Sequence, residues 1–119
     1  MKPVDQTTFG MPGGNCWSAC VASLLDLSIE EVPYFLDDWP RAFDEWALAR
    51  GFYTLTTDCD HFTPPGLHIL GGQSPRDISH AVVAHGDRIV HDPHPGRGGL
   101  RVREKCTMLI PLDPSVPLR

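Results

Sequence analysis

A cysteine stands where a glycine-rich loop changes into a helical pattern. Gly-Gly-Asn at positions 13–15 precedes Cys16, and apolar residues then recur at the spacing of one helix face: Trp17, Cys20, Val21 and Leu24. The first N–H groups of a helix have no intrahelical partner and carry the positive end of its dipole, which favours a thiolate there. Cys16 is therefore a candidate nucleophile. The alternative is a small buried residue, a common role of free cysteine.

A cysteine nucleophile needs a base that accepts its proton and a group that orients the base. Among the six histidines, His80 is the best candidate because it begins an apolar segment, Ala81–Ala84, that predicts a packed strand. His85 falls in a predicted turn and His61 in a predicted loop. Asp92 is the candidate orienting residue, on the second strand of the same predicted hairpin.

The register of this hairpin decides whether Asp92 reaches His80. A two-residue turn at positions 86–87 would pair His80 with Pro93 and direct Asp92 to the opposite face of the sheet. A three-residue turn at positions 85–87, or a β-bulge, would place His80 and Asp92 on one face. We predict the second arrangement, with a hydrogen bond between the two side chains.

The remaining sequence predicts helices first and strands afterwards. We expect a helix from about Cys16 to Leu27, a short helical turn after Ser28, and a second helix that starts at positions 37–40 and ends at Gly51. Strands are predicted at Phe52–Thr57, Leu67–Leu70, the hairpin at 80–92, and Cys106–Leu112, with a glycine-containing loop at Gly71–Asp77 beside the cleft. This order indicates the α+β class, with N-terminal helices on a small antiparallel sheet.

Composition narrows the possible functions. The chain has 119 residues, which fits a single domain over residues 1–119, and a formal net charge of −5. No basic cluster points to nucleic acid as a partner. The sequence shows neither a membrane-spanning apolar run nor the apolar segment of a signal peptide near its first residue, so we expect a cytoplasmic protein with no membrane partner. Its four irregularly spaced cysteines then predict reduced thiols.

Two segments resemble papain-like cysteine peptidases. Gly-Asn-Cys-Trp-Ser-Ala-Cys at positions 14–20 is similar to the start of their active-site helix, where tryptophan often follows the nucleophile and C39-like members have a second cysteine four residues later. The segment from Ser79 to Pro95 resembles the hairpin that carries histidine and aspartate in C39-like and related bacterial or phage peptidase domains. The resemblance covers residues 6 to about 95 and implies a papain-like fold.

By this resemblance, Cys16 is the nucleophile, His80 the base and Asp92 the third member of a catalytic triad. The family usually supplies an oxyanion-hole glutamine about six residues before the cysteine, where this chain has Gly10. Gln6 could take that role only if the loop between it and Cys16 bulges outward so that its side chain returns to the cysteine. The alternative is that Gln6 is a solvent-facing residue of an N-terminal arm.

The resemblance implies a cysteine peptidase or amidase that hydrolyses a peptide or isopeptide bond through a thioester, without a cofactor or a metal. Its substrate would be a peptide or protein, and Asn15 and Trp17, on either side of Cys16, are candidates to line the substrate groove. Two alternatives on the same scaffold are an acyltransferase of the transglutaminase type and a non-catalytic peptide-binding module. The sequence specifies no oligomeric state.

A metal site is a further alternative. Cysteines spaced Cys-x3-Cys and histidines spaced His-x2-His supply four ligands of the kind that zinc prefers: Cys16, Cys20, His91 and His94.

Overall fold

Two α-helices precede the sheet in the computed structural model, which describes residues 1–10, 13–35 and 40–115. Helix α1 spans Cys16–Leu25 and ends two residues earlier than predicted. Asp26 takes a left-handed conformation, with φ of 56°, and its N–H donates to the carbonyl of Ala22. The predicted short turn is present as a 3-10 helix at Ile29–Glu31.

Helix α2 spans Arg41–Ala49 and directly follows Pro40. Its predicted beginning at positions 37–39 lies outside the described residues. Phe43 and Ala47 are the buried residues of this helix and belong to the hydrophobic core. Gly51 follows the helix with φ of 91°, a conformation in which glycine is not strained.

The second half of the chain forms one five-stranded sheet in which all neighbouring strands are antiparallel. Its strands are β1 (Phe52–Asp58), β2 (Leu67–Gln73), β3 (Ser79–His85), β4 (Arg88–His91) and β5 (Val102–Pro111), in the spatial order β1-β5-β2-β3-β4. The predicted α+β class is confirmed. Helix α1 packs on β3 and helix α2 on β1, and the core between them contains Cys20, Val21, Leu24, Phe43, Ile69, Ala81, Val83 and Leu109.

Two strand boundaries differ from the prediction by more than one residue, and both lie where β2 pairs with β5. The segment Gly71–Gln73 belongs to β2 and is not a loop, and β5 begins at Val102 and not at Cys106. A register shift at Gly71 and Gly72 leaves one extra residue in β5. A Cβ atom at position 72 would lie 1.9 Å from the Val102 carbonyl oxygen, so only glycine permits this close pairing.

The β3–β4 hairpin combines a two-residue turn with a β-bulge. His85 pairs with Arg88, so of the two predicted ways to align Asp92 with His80, the three-residue turn is absent and the bulge is present. The register then shifts between Ala84 and Val83, which leaves Val90 as an extra residue in β4. The shift returns Asp92 to the face on which His80 lies, because one extra residue reverses the alternation of side chains beyond it.

No helix within the three described ranges combines the length and the apolar character needed to cross a bilayer.

Candidate active site

His80 and Asp92 form a buried hydrogen-bonded pair. His80 Nε2 lies 2.7 Å from Asp92 Oδ1, and each residue is 5% exposed. The predicted hydrogen bond between them is therefore confirmed. Two backbone N–H groups also donate to the carboxylate, from His94 at 2.9 Å and from Gly99 at 2.7 Å. A carboxylate only accepts, so Nε2 carries the proton and Nδ1 is the ring nitrogen available to another partner.

The pair is charged at neutral pH. Burial alone would lower the pKa of His80, but the hydrogen bond to Asp92 and the interaction with the Cys16 side chain outweigh it and raise this pKa to about 9. For Asp92, burial alone would raise the pKa, but the hydrogen bonds from His80 and from the two backbone N–H groups hold it below its ordinary value. The site therefore favours an imidazolium beside a carboxylate.

Cys16 is the first residue of α1 and is half-buried. It lies between two cavities, one of about 650 Å³ and one of about 220 Å³, and His80 lines both of them as well. The cysteine from the helical half and the histidine from the sheet, 64 positions apart in the sequence, therefore meet at one opening. This arrangement gives a nucleophile and a base access to the same bound molecule.

Aromatic side chains form much of the wall of the larger cavity. Trp17 and Asn15 both line it, as expected for groove residues. The ring of Trp17 meets the edge of Phe43 at a centroid distance of 5.2 Å, and Phe35 meets Phe43 at 5.3 Å. Such a wall suits an apolar group of a ligand beside Cys16.

Gln6 is buried beside the cysteine. It is 6% exposed and lines the smaller cavity together with Cys16, so the alternative of a solvent-facing arm residue is wrong. Its backbone N–H donates to the Pro93 carbonyl at 3.0 Å, and its Nε2 donates to the Thr8 carbonyl at 2.9 Å. One N–H of the amide is therefore used within the loop, whereas Gln6 Oε1 is buried and has no hydrogen-bond partner among the described residues.

Asn15 closes the loop that brings Gln6 back to Cys16. Its Oδ1 accepts hydrogen bonds from the backbone N–H groups of Thr7 and Thr8 at 2.9 and 3.0 Å, and its Nδ2 donates to Thr7 Oγ1 at 2.9 Å. Its side chain therefore clamps the loop and does not cap α1. The two ends of the loop are therefore held together, as the return of Gln6 to Cys16 requires, while positions 11 and 12 of the loop lie outside the described residues.

Gly14→Ala is expected to open this loop. A Cβ at position 14 would lie 2.6 Å from the Gly10 carbonyl oxygen, to which the Gly14 N–H donates. We expect a loss of about 1–3 kcal/mol in the free energy of unfolding and slower alkylation of Cys16. The matched control is Gly13→Ala, because a Cβ there meets nothing within 4 Å. Equal stability of the two variants in thermal denaturation would contradict the close contact.

The structure does not gather the four residues of the alternative metal site. Cys20 is fully buried, and burial raises the pKa of its thiol well above the ordinary value, so it stays protonated. His91 Nε2 is bonded to the Val4 carbonyl at 2.9 Å. Among the described residues, no three or more His, Cys, Asp or Glu side chains are placed to hold one metal ion.

Two residues near Cys16 were not predicted as catalytic or groove residues, although His94 was considered as a zinc ligand. His94 and Arg76 line the smaller cavity, and the His94 ring lies edge-on to that of His80 with a centroid distance of 6.2 Å. The position of His94 two residues after Asp92 was a usable signal, because both belong to one turn. Nothing in the local pattern around Arg76 distinguishes it from a surface arginine.

The contacts of these side chains are the basis for assigning a function. Comparisons with protein-family models, with curated proteins and with solved structures found no match to this chain.

Proposed function

We propose that this protein is a papain-like cysteine hydrolase that cleaves a peptide, isopeptide or related amide bond. The observation that carries the proposal is that Cys16, at the start of a helix, shares its cavities with His80, whose other ring nitrogen is hydrogen-bonded to Asp92. Along the chain, a helix that begins with the nucleophile precedes an antiparallel sheet that carries the base and the acid. This order supports the papain-like assignment. Burying a charged His–Asp pair costs desolvation free energy, and this cost is easier to explain if the pair takes part in a reaction than if it only fills the core.

In the proposed reaction, the Cys16 thiol has already passed its proton to His80 Nδ1 before the substrate binds, and the thiolate of this ion pair attacks the carbonyl carbon of the substrate. The pKa of about 9 for His80 favours the resulting imidazolium at neutral pH. Collapse of the tetrahedral intermediate breaks the C–N bond, His80 protonates the departing amine, and a thioester remains on Cys16. His80 then activates water, which releases the carboxylic acid and restores the thiol.

Gln6 is the proposed side-chain donor to the oxyanion. Gln6 and Cys16 both line the smaller cavity. In the proposed reaction, the Gln6 side-chain amide and the backbone N–H at the start of α1 donate to the oxygen of the tetrahedral intermediate. One such donor stabilises the transition state by about 3 kcal/mol. Asp92 keeps the imidazole in the tautomer that leaves Nδ1 ready to accept a proton.

Alkylation by iodoacetamide at pH 7, followed by mass spectrometry of each cysteine, tests the proposal. The informative comparison is between Cys16 and Cys59, which are both partly exposed, because Cys20 and Cys106 are protected by burial alone. We expect Cys16 to react at least about 10-fold faster than Cys59, because only Cys16 has a helix start and an imidazole beside it. Equal, slow labelling would instead support the non-catalytic peptide-binding module.

Hydrolysis and acyl transfer are distinguished by the product that each reaction forms. A library of fluorogenic peptide amides is incubated with the protein, with and without hydroxylamine as an added acceptor amine. A hydrolase releases the free acid in both cases, whereas an acyltransferase requires the added amine. Neither product is expected from Cys16→Ala.

A further inference from the structure

The smaller cavity beside Cys16 is lined by cationic and hydrogen-bond-donating groups. Arg76, His80 and His94 contribute to its wall, and no carboxylate side chain does so among the described residues. A volume of about 220 Å³ admits a small polar group attached to a longer ligand.

The charge of Arg76 is not neutralised by a neighbour. Nearby arginines have acidic partners: Arg97 binds Asp5 at 2.6 Å, and Arg101 binds Asp77 at 2.6 Å. Asp77 directly follows Arg76 in the sequence, but its carboxylate forms its ion pair with Arg101. Within residues 1–10, 13–35 and 40–115, Arg76 forms no ion pair with a carboxylate.

The backbone places the Arg76 side chain next to the loop that holds Asp92. The Arg76 N–H donates to Ser74 Oγ at 3.2 Å. One guanidinium nitrogen lies 3.9 Å from where a Cβ on Gly98 would be, and the next residue, Gly99, donates its N–H to Asp92. Asp92 is itself buried and already accepts three hydrogen bonds, so it does not serve as the partner of Arg76.

His94 offers a second donor. Its Nδ1 accepts a hydrogen bond from the Gly96 N–H at 2.9 Å, so the proton of the neutral ring is on Nε2. Partial burial, and then the positive charge of Arg76, lower the pKa of His94, which favours this neutral form. A neutral Nε2–H beside a guanidinium is suited to the oxygens of a carboxylate.

We propose that Arg76, assisted by His94, binds a carboxylate of the substrate in the smaller cavity. The inference rests on the proposed function and adds a substrate class: amides or peptides with a carboxylate, from an acidic side chain or a free chain end, close to the bond that Cys16 attacks. The aromatic wall of the larger cavity would hold an apolar group on the other side of the same bond. Arg76 is then a specificity-determining residue.

Two alkylating probes that differ by one charge test this inference without a known substrate. N-iodoacetylglycine carries a carboxylate, and N-iodoacetylglycinamide has the same length but is neutral. The second-order rate constants for labelling Cys16 are measured with each, and labelling of Cys59 in the same sample corrects for intrinsic reactivity. We expect the corrected ratio, carboxylate over amide, to be about 10 in the wild-type protein.

Substitutions assign the effect to the cavity. Arg76→Gln is expected to lower the ratio to about 1, and Arg76→Lys to retain part of it, because lysine keeps the charge but not the planar fork. Arg88→Gln is the matched control, because Arg88 is exposed, as Arg76 is, but lies at the far end of the β3–β4 hairpin from the cavity. It should leave the ratio unchanged.

The outcomes separate this inference from the function on which it rests. If neither probe labels Cys16 faster than Cys59, the proposed function fails. If both probes label Cys16 rapidly and equally, the proposed function stands and the carboxylate site is overturned. An equal drop in Arg76→Gln and Arg88→Gln would also overturn it, because net charge would then explain the preference.

Discussion

Asp92→Asn is expected to slow the alkylation of Cys16 at pH 7, and any amide turnover, by about 100-fold or more. The carboxylate accepts hydrogen bonds from His80 and from the N–H groups of His94 and Gly99. An amide at this position has one acceptor atom, so its NH2 group would face a donor and at least one of the three hydrogen bonds would be lost. The imidazole would also lose the negative charge that stabilises its protonated form.

The measurement is the alkylation rate of Cys16 resolved by mass spectrometry, which needs no substrate. Asp87→Asn is the matched control, because it removes an exposed carboxylate from the turn of the same hairpin, and we expect it to change the rate by less than about 3-fold. If folded Asp92→Asn protein reacts at the wild-type rate, Asp92 holds the loop but does not act on His80.

His80→Gln is expected to remove a pH-dependent part of the free energy of unfolding. The pKa of His80 in the folded protein is about 9, above its ordinary value of 6.5. The folded state therefore binds this proton more tightly than the unfolded state does. The resulting stabilisation is fully present below about pH 6.5 and is lost as the pH rises through 9. Its upper size is about 3 kcal/mol, at 1.36 kcal/mol for each pKa unit.

Urea denaturation at pH 6 and pH 9 measures this effect as the difference between wild-type and His80→Gln proteins. Burial lowers the pKa of His68, so His68 contributes to the pH dependence of the free energy of unfolding with the opposite sign. This contribution is common to both proteins and cancels in their difference. His85→Gln, at an exposed strand end, is the control and should show no such difference. A wild-type advantage that is the same at both pH values would show that His80 is not charged in the folded state.

Elements that depend on local pattern were well predicted from sequence. Helix α1 starts at Cys16 and Gly51 follows α2, because an apolar face at helical spacing and a glycine after it are properties of neighbouring residues. The apolar run after His80 forms the interior strand β3. The extent of β5 was missed because its first residues, Val102–Lys105, are exposed and largely charged, so no apolar alternation marks them.

For the parts of the site that depend on contacts between distant residues, the sequence predicted only what the fold would have to provide. The sequence required either a longer turn or a bulge to bring Asp92 to His80, and the structure has the bulge at Val90. It also required the loop after Gln6 to return, and the Asn15 side chain closes that loop. A register shift of one residue brings Asp92 to His80, and side-chain hydrogen bonds of one residue close the loop after Gln6. Neither feature produces a periodic pattern in the sequence.

The sequence by itself determined that a cysteine begins an apolar helix, that a histidine begins a buried strand, and that helices precede an antiparallel sheet. These features follow from the preferences of residues close together in the chain. Only the tertiary structure decided that Asp92 faces His80, that Gln6 is buried beside Cys16, and that Arg76 borders the smaller cavity without an acidic partner. Each of these depends on which distant segments pack together, because burial and charge pairing are properties of the assembled chain.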